Sequence, residues 1–238
     1  MSSIGYTTLS RQSGLLNEMQ VVANNIANSA TTGYRSEGLI FSEYVKSAPG
    51  EESLSMGRAN IRNTSLEQGS VTQTGGSFDL AIEGDGFFMV ETPNGNRLTR
   101  AGNFTPNAAG DLVTPDGYRV LDAGQAPVFI PGDAQSIAFG NDGTVSADGQ
   151  QIGQVGLFLP EEDAQILRED GVMFRVEGET ILAEDAQVLQ GFLESSNVNT
   201  IHQLARMIEV QRAYEMGQSF LDNEDKRVRA AIDNLMKS

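Results

Sequence analysis

The stretch NVNTIHQLARMIEVQRAYEMGQSFLDNEDKRVRAAIDNLM, residues 197–236, decides how the rest of the chain is read. Met207, Tyr214, Leu221, Val228 and Leu235 recur every seven residues without interruption. Their companion positions, Leu204, Gln211, Gln218, Asp225 and Ile232, are apolar only at the two ends. A strict seven-residue period keeps one narrow seam facing a partner helix, so this row suits a long helix in a coiled-coil-like bundle. Asn197 or Ser196 can cap its start. Such a helix reaches about 58 Å at 1.5 Å per residue, longer than a compact domain needs.

A second helical pattern lies at the other end, from about Ile4 to Ala30. Leu9, Leu16, Met19, Ala23, Ile26 and Ala30 form its seam, flanked by Leu15, Val22 and Ala27. Gly33 follows Thr31 and Thr32, where glycine favours a left-handed helix stop. Asn24, Asn25 and Asn28 sit among these apolar residues. Buried amides on a helix seam cost stability and specify register, which an ordered assembly needs; the alternative is that they face solvent.

Between the helices the punctuation changes. Residues 36–70 are mixed, with Phe41, Tyr44 and Val45 ahead of Ala48-Pro49-Gly50-Glu51-Glu52, and read as an extended or loosely ordered connector. From Val71 to about Leu189, the dipeptides Asn94-Gly95, Asp116-Gly117, Asp142-Gly143 and Asp148-Gly149 separate short apolar runs. Phe87–Val90, Tyr118–Leu121, Val155–Leu159 and Met173–Val176 read as strands. Short strands with close turn signals imply an antiparallel, mostly β body. The fold class is α+β: a discontinuous helical domain from both termini, coiled-coil-like, plus a middle, mostly antiparallel β domain. The expected segments are 1–35 (terminal helix), 36–70 (connector), 71–190 (β domain) and 191–238 (long helix).

Charge divides the same way. The net of −16 falls almost wholly on the middle: residues 36–196 carry 25 acidic and 8 basic side chains. Residues 1–35 net +1 and residues 197–238 net zero. No basic patch exists to neutralise phosphates, so no nucleic-acid partner is expected. No run of about 18 apolar residues occurs, so no membrane insertion is expected. The start, Met1-Ser2-Ser3-Ile4-Gly5-Tyr6, lacks the basic and apolar regions of a cleaved signal. There is no cysteine, which removes disulfides, thiolate metal sites and a cysteine nucleophile together. Two narrow-seamed, charge-balanced helices leave much of their surface free, and that surface is best buried against helices of other subunits.

Three stretches carry a family resemblance. Ala23-Asn24-Asn25-Ile26-Ala27-Asn28-Ser29-Ala30-Thr31-Thr32-Gly33-Tyr34-Arg35 resembles the signature of the flagellar rod and hook family. Asp79-Leu80-Ala81-Ile82-Glu83-Gly84-Asp85-Gly86-Phe87-Phe88 resembles its I-x-G-x-G-F-F element. Gln190-Gly191-Phe192-Leu193-Glu194-Ser195-Ser196-Asn197-Val198-Asn199, continued by Met207–Glu215, resembles its closing motif. The three occur in family order across nearly the whole chain. The short length and the Asp222–Arg227 and Asp163–Phe174 stretches resemble the proximal-rod branch, while Gln211-Arg212-Ala213-Tyr214-Glu215 looks more like the distal-rod branch. The resemblance implies a structural subunit, not an enzyme, that joins its own copies and other rod proteins, proximal and distal, in the periplasm-spanning rod. It also implies export through the flagellar type III apparatus without a cleaved signal peptide. The residues expected at the assembly interface are Leu9, Leu16, Met19, Ala23, Asn24, Asn25, Ile26, Asn28, Leu204, Met207, Tyr214, Leu221, Val228 and Leu235.

Catalytic alternatives find little support in the residues. His202 is the only histidine and stands without a neighbouring Cys, Asp or Glu, as surface and packing histidines do. Gly84-Asp85-Gly86 lacks the third glycine of a dinucleotide fingerprint and the Lys-Ser/Thr of a P-loop, and reads as a turn. Asp142, Asp148 and Glu161-Glu162-Asp163 lack EF-hand spacing. No catalytic residue, metal ligand or cofactor is therefore expected. The rival of another class is a periplasmic enzyme or glycan-binding module, which requires a pocket where paired carboxylates of shifted acidity converge.

Overall fold

The computed structural model describes residues 3–46 and 54–236, so the Ala48–Glu52 stretch and both chain ends lie outside the described residues. The chain divides into two compact units. One gathers residues up to Asn28, Ser36–Ser65 and the segment from Val198 onward; the other holds Ser29–Arg35 and Leu66–Asn197.

The first unit is built on two helices, α1 (Ser3–Ala27) and α2 (Thr200–Met236). They run antiparallel: the Gln12 side chain donates to the Tyr214 carbonyl, whereas Glu18, further along α1, pairs with Arg206, earlier on α2. α1 ends at Ala27 rather than Ala30. The Asn28 side chain donates to the Asn24 carbonyl at 2.9 Å, a local bond that competes with a further helical turn. Gly33 is left-handed (φ +68) but stands six residues beyond the helix, so it is not the helix stop. α2 is capped by Asn199, whose side-chain oxygen accepts from the His202 amide at 3.1 Å, not by Asn197 or Ser196. Within the stretch read as a loose connector, β1 (Glu37–Lys46) and β2 (Leu54–Thr64) form an antiparallel pair, Glu37 opposite Thr64 and Lys46 opposite Leu54. Both strands contact α1.

The second unit is antiparallel β throughout its recorded pairings. β3 (Val71–Gln73) pairs with Phe192–Glu194 and β4 (Leu80–Glu83) pairs with Gln187–Gln190. β5 (Phe87–Thr92) and β6 (Gly95–Thr99) form the hairpin at the centre of the largest sheet. β5 is buried on both faces: Phe88 and Val90 enter one core cluster, and Phe87 and Met89 enter the other. That explains why its sequence is a continuous apolar run and not an alternation. Of the turn dipeptides, Asp148-Gly149 is the clearest. Both residues have positive φ (+49 and +81), which makes a tight hairpin between Thr144–Ala147 and Gln150–Gln154.

Candidate assembly interface

The two helices meet along a seam rotated from the expected one. On α2 the covered positions are Val210, fully buried, with Gln203, Met207, Ala213, Tyr214, Gly217, Leu221 and Glu224 half-buried. The companions of the Met207/Tyr214/Leu221 row are therefore three residues after it, at Val210, Gly217 and Glu224. Leu204, Gln211, Gln218 and Asp225 face out. On α1 the buried positions are Gln12, Gly14, Leu15, Glu18, Val21, Val22 and Asn25. Polar groups fix the fit. Arg206 donates to Glu18 at 2.6 Å and to Glu209 at 3.1 Å, and the bond to Glu18 raises the guanidinium's pKa. Gln12 lies against Gly217, where an added Cβ would approach its amide to 3.2 Å.

The expected interface residues consequently fall into two groups. Leu9, Leu16, Ala23 and Asn24 of α1 stay exposed, Leu9 at 48% and Leu16 at 43%; Met19, Ile26 and Asn28 are half-buried. Leu204, Val228 and Leu235 are exposed on α2, whereas Met207, Tyr214 and Leu221 belong to the seam within the chain. Asn25 is placed differently. It is 1% exposed, and its side chain accepts from the Glu37 amide at 2.9 Å and donates to the Glu37 carbonyl at 2.7 Å. The amide thus sets the register of β1 on α1 inside one chain. Ile208, Met216 and Phe220 are further exposed apolar residues outside the seven-residue row, and Ile232, a companion position of that row, is exposed as well. The available signal was their apolar character at heptad positions where an isolated pair of helices would carry charge.

The β unit holds a second feature absent from the expected set. Arg35, Arg100 and Glu194 are 0%, 2% and 1% exposed, and Glu194 bridges both guanidinia, to Arg35 at 3.1 Å and to Arg100 at 3.0 Å. Its Oε1 also accepts from the Gly69 amide at 3.0 Å, and its carbonyl accepts from the Gly33 amide at 2.8 Å. Burial lowers the Arg35 pKa to about 10, with the Glu194 charge acting in the opposite direction. Arg100 is lowered for the same reason. Arg35 donates to the Glu67 carbonyl and Arg100 to the Gly84 carbonyl, the latter at 2.8 Å. The Arg168 guanidinium stacks over Tyr34 and Phe174 at 4.5 and 4.9 Å. Gly33 has no room for a side chain here: a Cβ would lie 2.3 Å from the Ala101 amide nitrogen. Both Arg35 and Glu194 stand inside motifs quoted above, yet only the fold brings them together with Arg100.

The carboxylates with shifted acidity do not converge. Asp142 is made more acidic by the Thr144 amide of its own turn, and Asp148 by the Ser136 and Gln135 amides of the segment before the neighbouring strand. Glu169 is made more acidic by its bond to Arg97. Each lies in a separate exposed turn or hairpin, and each is shifted in the direction opposite to that needed by a general acid at neutral pH. Among the described residues no three His, Asp or Glu side chains are grouped to hold a metal ion. No described helix is long and apolar enough to cross a membrane.

Three family models match the chain. One described as "Flagella basal body rod protein" covers residues 6–35. "Flagellar hook protein FlgE/F/G D1 domain" covers 81–147, and "Flagellar basal body rod FlgEFG protein C-terminal" covers 189–234. Arg35, Arg100 and Glu194 each come from a different one of these segments. The chain is 38% identical to the flagellar basal-body rod protein FlgF of Caulobacter vibrioides, over 100% of its own length and 99% of that protein. It is 37% identical to FlgF of Rhizobium meliloti, over 97% and 96%. With the flagellar basal-body rod protein FlgG of Bacillus subtilis it shares 30% identity, over 96% and 97%.

Proposed function

The chain belongs to the flagellar basal-body rod protein family, and on that premise we propose that it is a structural subunit of the proximal rod, joined to its neighbours through α1 and α2. It is more similar to the two relatives named FlgF than to the one named FlgG, which favours the proximal over the distal position. The observation that carries the reading is that the α1–α2 seam leaves apolar rows uncovered on both helices: Leu9, Leu16 and Ala23 on one, Leu204, Ile208, Met216 and Ile232 on the other. Exposed rows of this length on helices mark surfaces that another protein covers. In the assembled rod these rows pack against helices of neighbouring copies and of other rod proteins. The β unit, with its acidic surface, makes the outer lateral contacts. Many interlocked helical contacts at interior packing density resist sliding, which is what transmitting torque requires. The subunit leaves the cytoplasm through the flagellar export apparatus and assembles across the periplasm.

Replacement of the chromosomal copy by Leu16→Glu or Ile208→Glu tests this. Both residues are solvent-exposed in the single chain, so the variants fold. The expected result is loss of swimming and absence of the subunit from purified basal bodies. Full motility of both variants, with the substituted subunit at its normal level in basal bodies, overturns the reading.

A further inference from the structure

Beside the seam, α1 and α2 enclose an open groove of about 380 Å³. One wall is Thr8, Arg11, Gln12 and Leu15; the other is Ala213, Met216, Gly217 and Phe220. Both walls follow the spacing i, i+3, i+4, i+7, so the groove runs two helical turns, about 10 Å, parallel to the helices. Gly217 deepens it by presenting backbone where any other residue would present a side chain. Met216, at 67% exposure, and Phe220 stand at its rim.

The end of α2 carries the matching shape. From Asp225 to Met236 every residue whose side chain is described is exposed. Val228, Ala231 and Ile232 there continue the seam of Met207, Val210, Tyr214, Gly217 and Leu221, past the point where α1 covers it. With Leu235 they repeat the spacing of the groove walls, i, i+3, i+4, i+7, over the same two turns. The charges are complementary as well. Arg11 lies in the groove and Asp233 beside the apolar stripe, and neither has an ion pair with a described residue. The stripe cannot fill its own groove, because groove wall and stripe lie on one uninterrupted helix, Thr200–Met236.

We propose that the groove between Leu15 and Met216–Phe220 receives the α2 end, Val228–Ile232, of a second copy of this chain, with Arg11 facing Asp233 of that copy. This rests on the rod-subunit reading and gives it a specific contact. The two surfaces are different patches of one molecule, so the contact is head-to-tail. Repeated, it generates a ring or an open helical array and never a closed two-fold dimer.

The chain has no cysteine, so introduced pairs report cleanly. In cells carrying the full-length Met216→Cys, Ile232→Cys double variant, mild oxidation of purified basal bodies is expected to give covalent multimers of this chain. Each single variant is expected to give none, as is Ile201→Cys, Ile232→Cys, which moves one thiol outside the groove. Arg11→Asp and Asp233→Arg should each lower the cross-linking yield about two- to fivefold, as an exposed ion pair allows, and the double exchange should restore it. Double-variant subunits present in basal bodies but cross-linked only to a different rod protein, or not at all, overturn the groove assignment and leave the rod reading standing. Absence of the wild-type subunit from basal bodies removes the rod reading itself.

Discussion

The β unit buries charge and the helical unit exposes apolar surface. In the β unit, Arg35, Arg100 and Glu194 lie at or below 2% exposure, and both core clusters close around β5. In the helical unit, Leu9, Leu16, Met216 and Ile232 stand in solvent, while the ion pairs of α2, such as Arg227–Glu224 and Arg229–Asp225, are on its surface. A unit that pairs three buried charges with one another is closed as a fold. A unit that leaves rows of Leu, Ile and Met uncovered is half of an interface. The contrast says which residues are kept for the chain itself and which for its neighbours, and substitutions should separate the two by their effect on the isolated protein.

The largest expected effect is in the β unit. Glu194→Ala leaves two guanidinia buried without a counter-charge, and removing one partner of a buried ionic group costs about 3–5 kcal/mol. Urea unfolding of the purified chain measures it, and Glu194→Gln, which keeps an acceptor for the Gly69 amide, should lose less. A change below 1 kcal/mol for Glu194→Ala would mean that water reaches the cluster and that the β unit is not closed there. Gly33→Ala comes next, at about 2–3 kcal/mol. Its added Cβ meets backbone at Arg100 and Ala101, which cannot swing aside as a side chain would, and its φ of +68 disfavours alanine independently.

Asn25→Ala tests the helical unit at a place where it behaves like the β unit. The Glu37 amide and carbonyl lose their partners in a buried position, for a loss of about 2 kcal/mol. Amide exchange at Glu37 should accelerate while exchange in the β unit is unchanged. Unchanged exchange at Glu37 would show that β1 is held on α1 by other contacts.

A smaller effect concerns acid. Asp142 and Asp148 are more acidic in the folded chain than the ordinary carboxylate because backbone amides donate to them. The unfolded chain therefore takes up these protons at higher pH than the folded one. Their contribution is present above the ordinary carboxylate range and is lost as pH falls through the lowered folded value. Between pH 7 and pH 3, the urea midpoint of the Asp142→Asn, Asp148→Asn variant should fall less than that of the parent. An equal fall would assign acid sensitivity to other carboxylates, such as Glu169 and Glu224, which Arg97 and Arg227 make more acidic.

How much of this was legible in the sequence differs between the two units for physical reasons. The helices announced themselves through periodicity, and the β hairpins through Asp-Gly and Asn-Gly dipeptides, because both signals are local. The rotation of the α1–α2 seam toward Val210, Gly217 and Glu224 was not legible. The choice depends on Gly217 admitting Gln12 and on Arg206 reaching Glu18, which are facts about the partner helix. The β1–β2 pair was missed because its strands carry mixed sequence and gain their register from Asn25, twelve residues before Glu37. The cluster of Arg35, Arg100 and Glu194 joins residues up to 159 positions apart. No spacing rule finds such a set, although a lone Arg and a lone Glu inside otherwise small, uncharged motifs were a sign that both had work in the interior.

The smallest expected effect on the isolated chain bears most directly on the comparison. Leu16→Ser and Ile208→Ser remove apolar side chains that already stand in water, so the free energy of unfolding should move by no more than about 0.5 kcal/mol. Burying such a side chain against another subunit is worth about 1.5–3 kcal/mol, and that contribution exists only in the assembly. The same substitutions should therefore leave the unfolding curve in place and remove the subunit from basal bodies. Loss of about 2 kcal/mol in the isolated protein would show that these rows are covered within the chain in solution. The helical unit would then be as self-contained as the β unit, and its surface would no longer point to a neighbour.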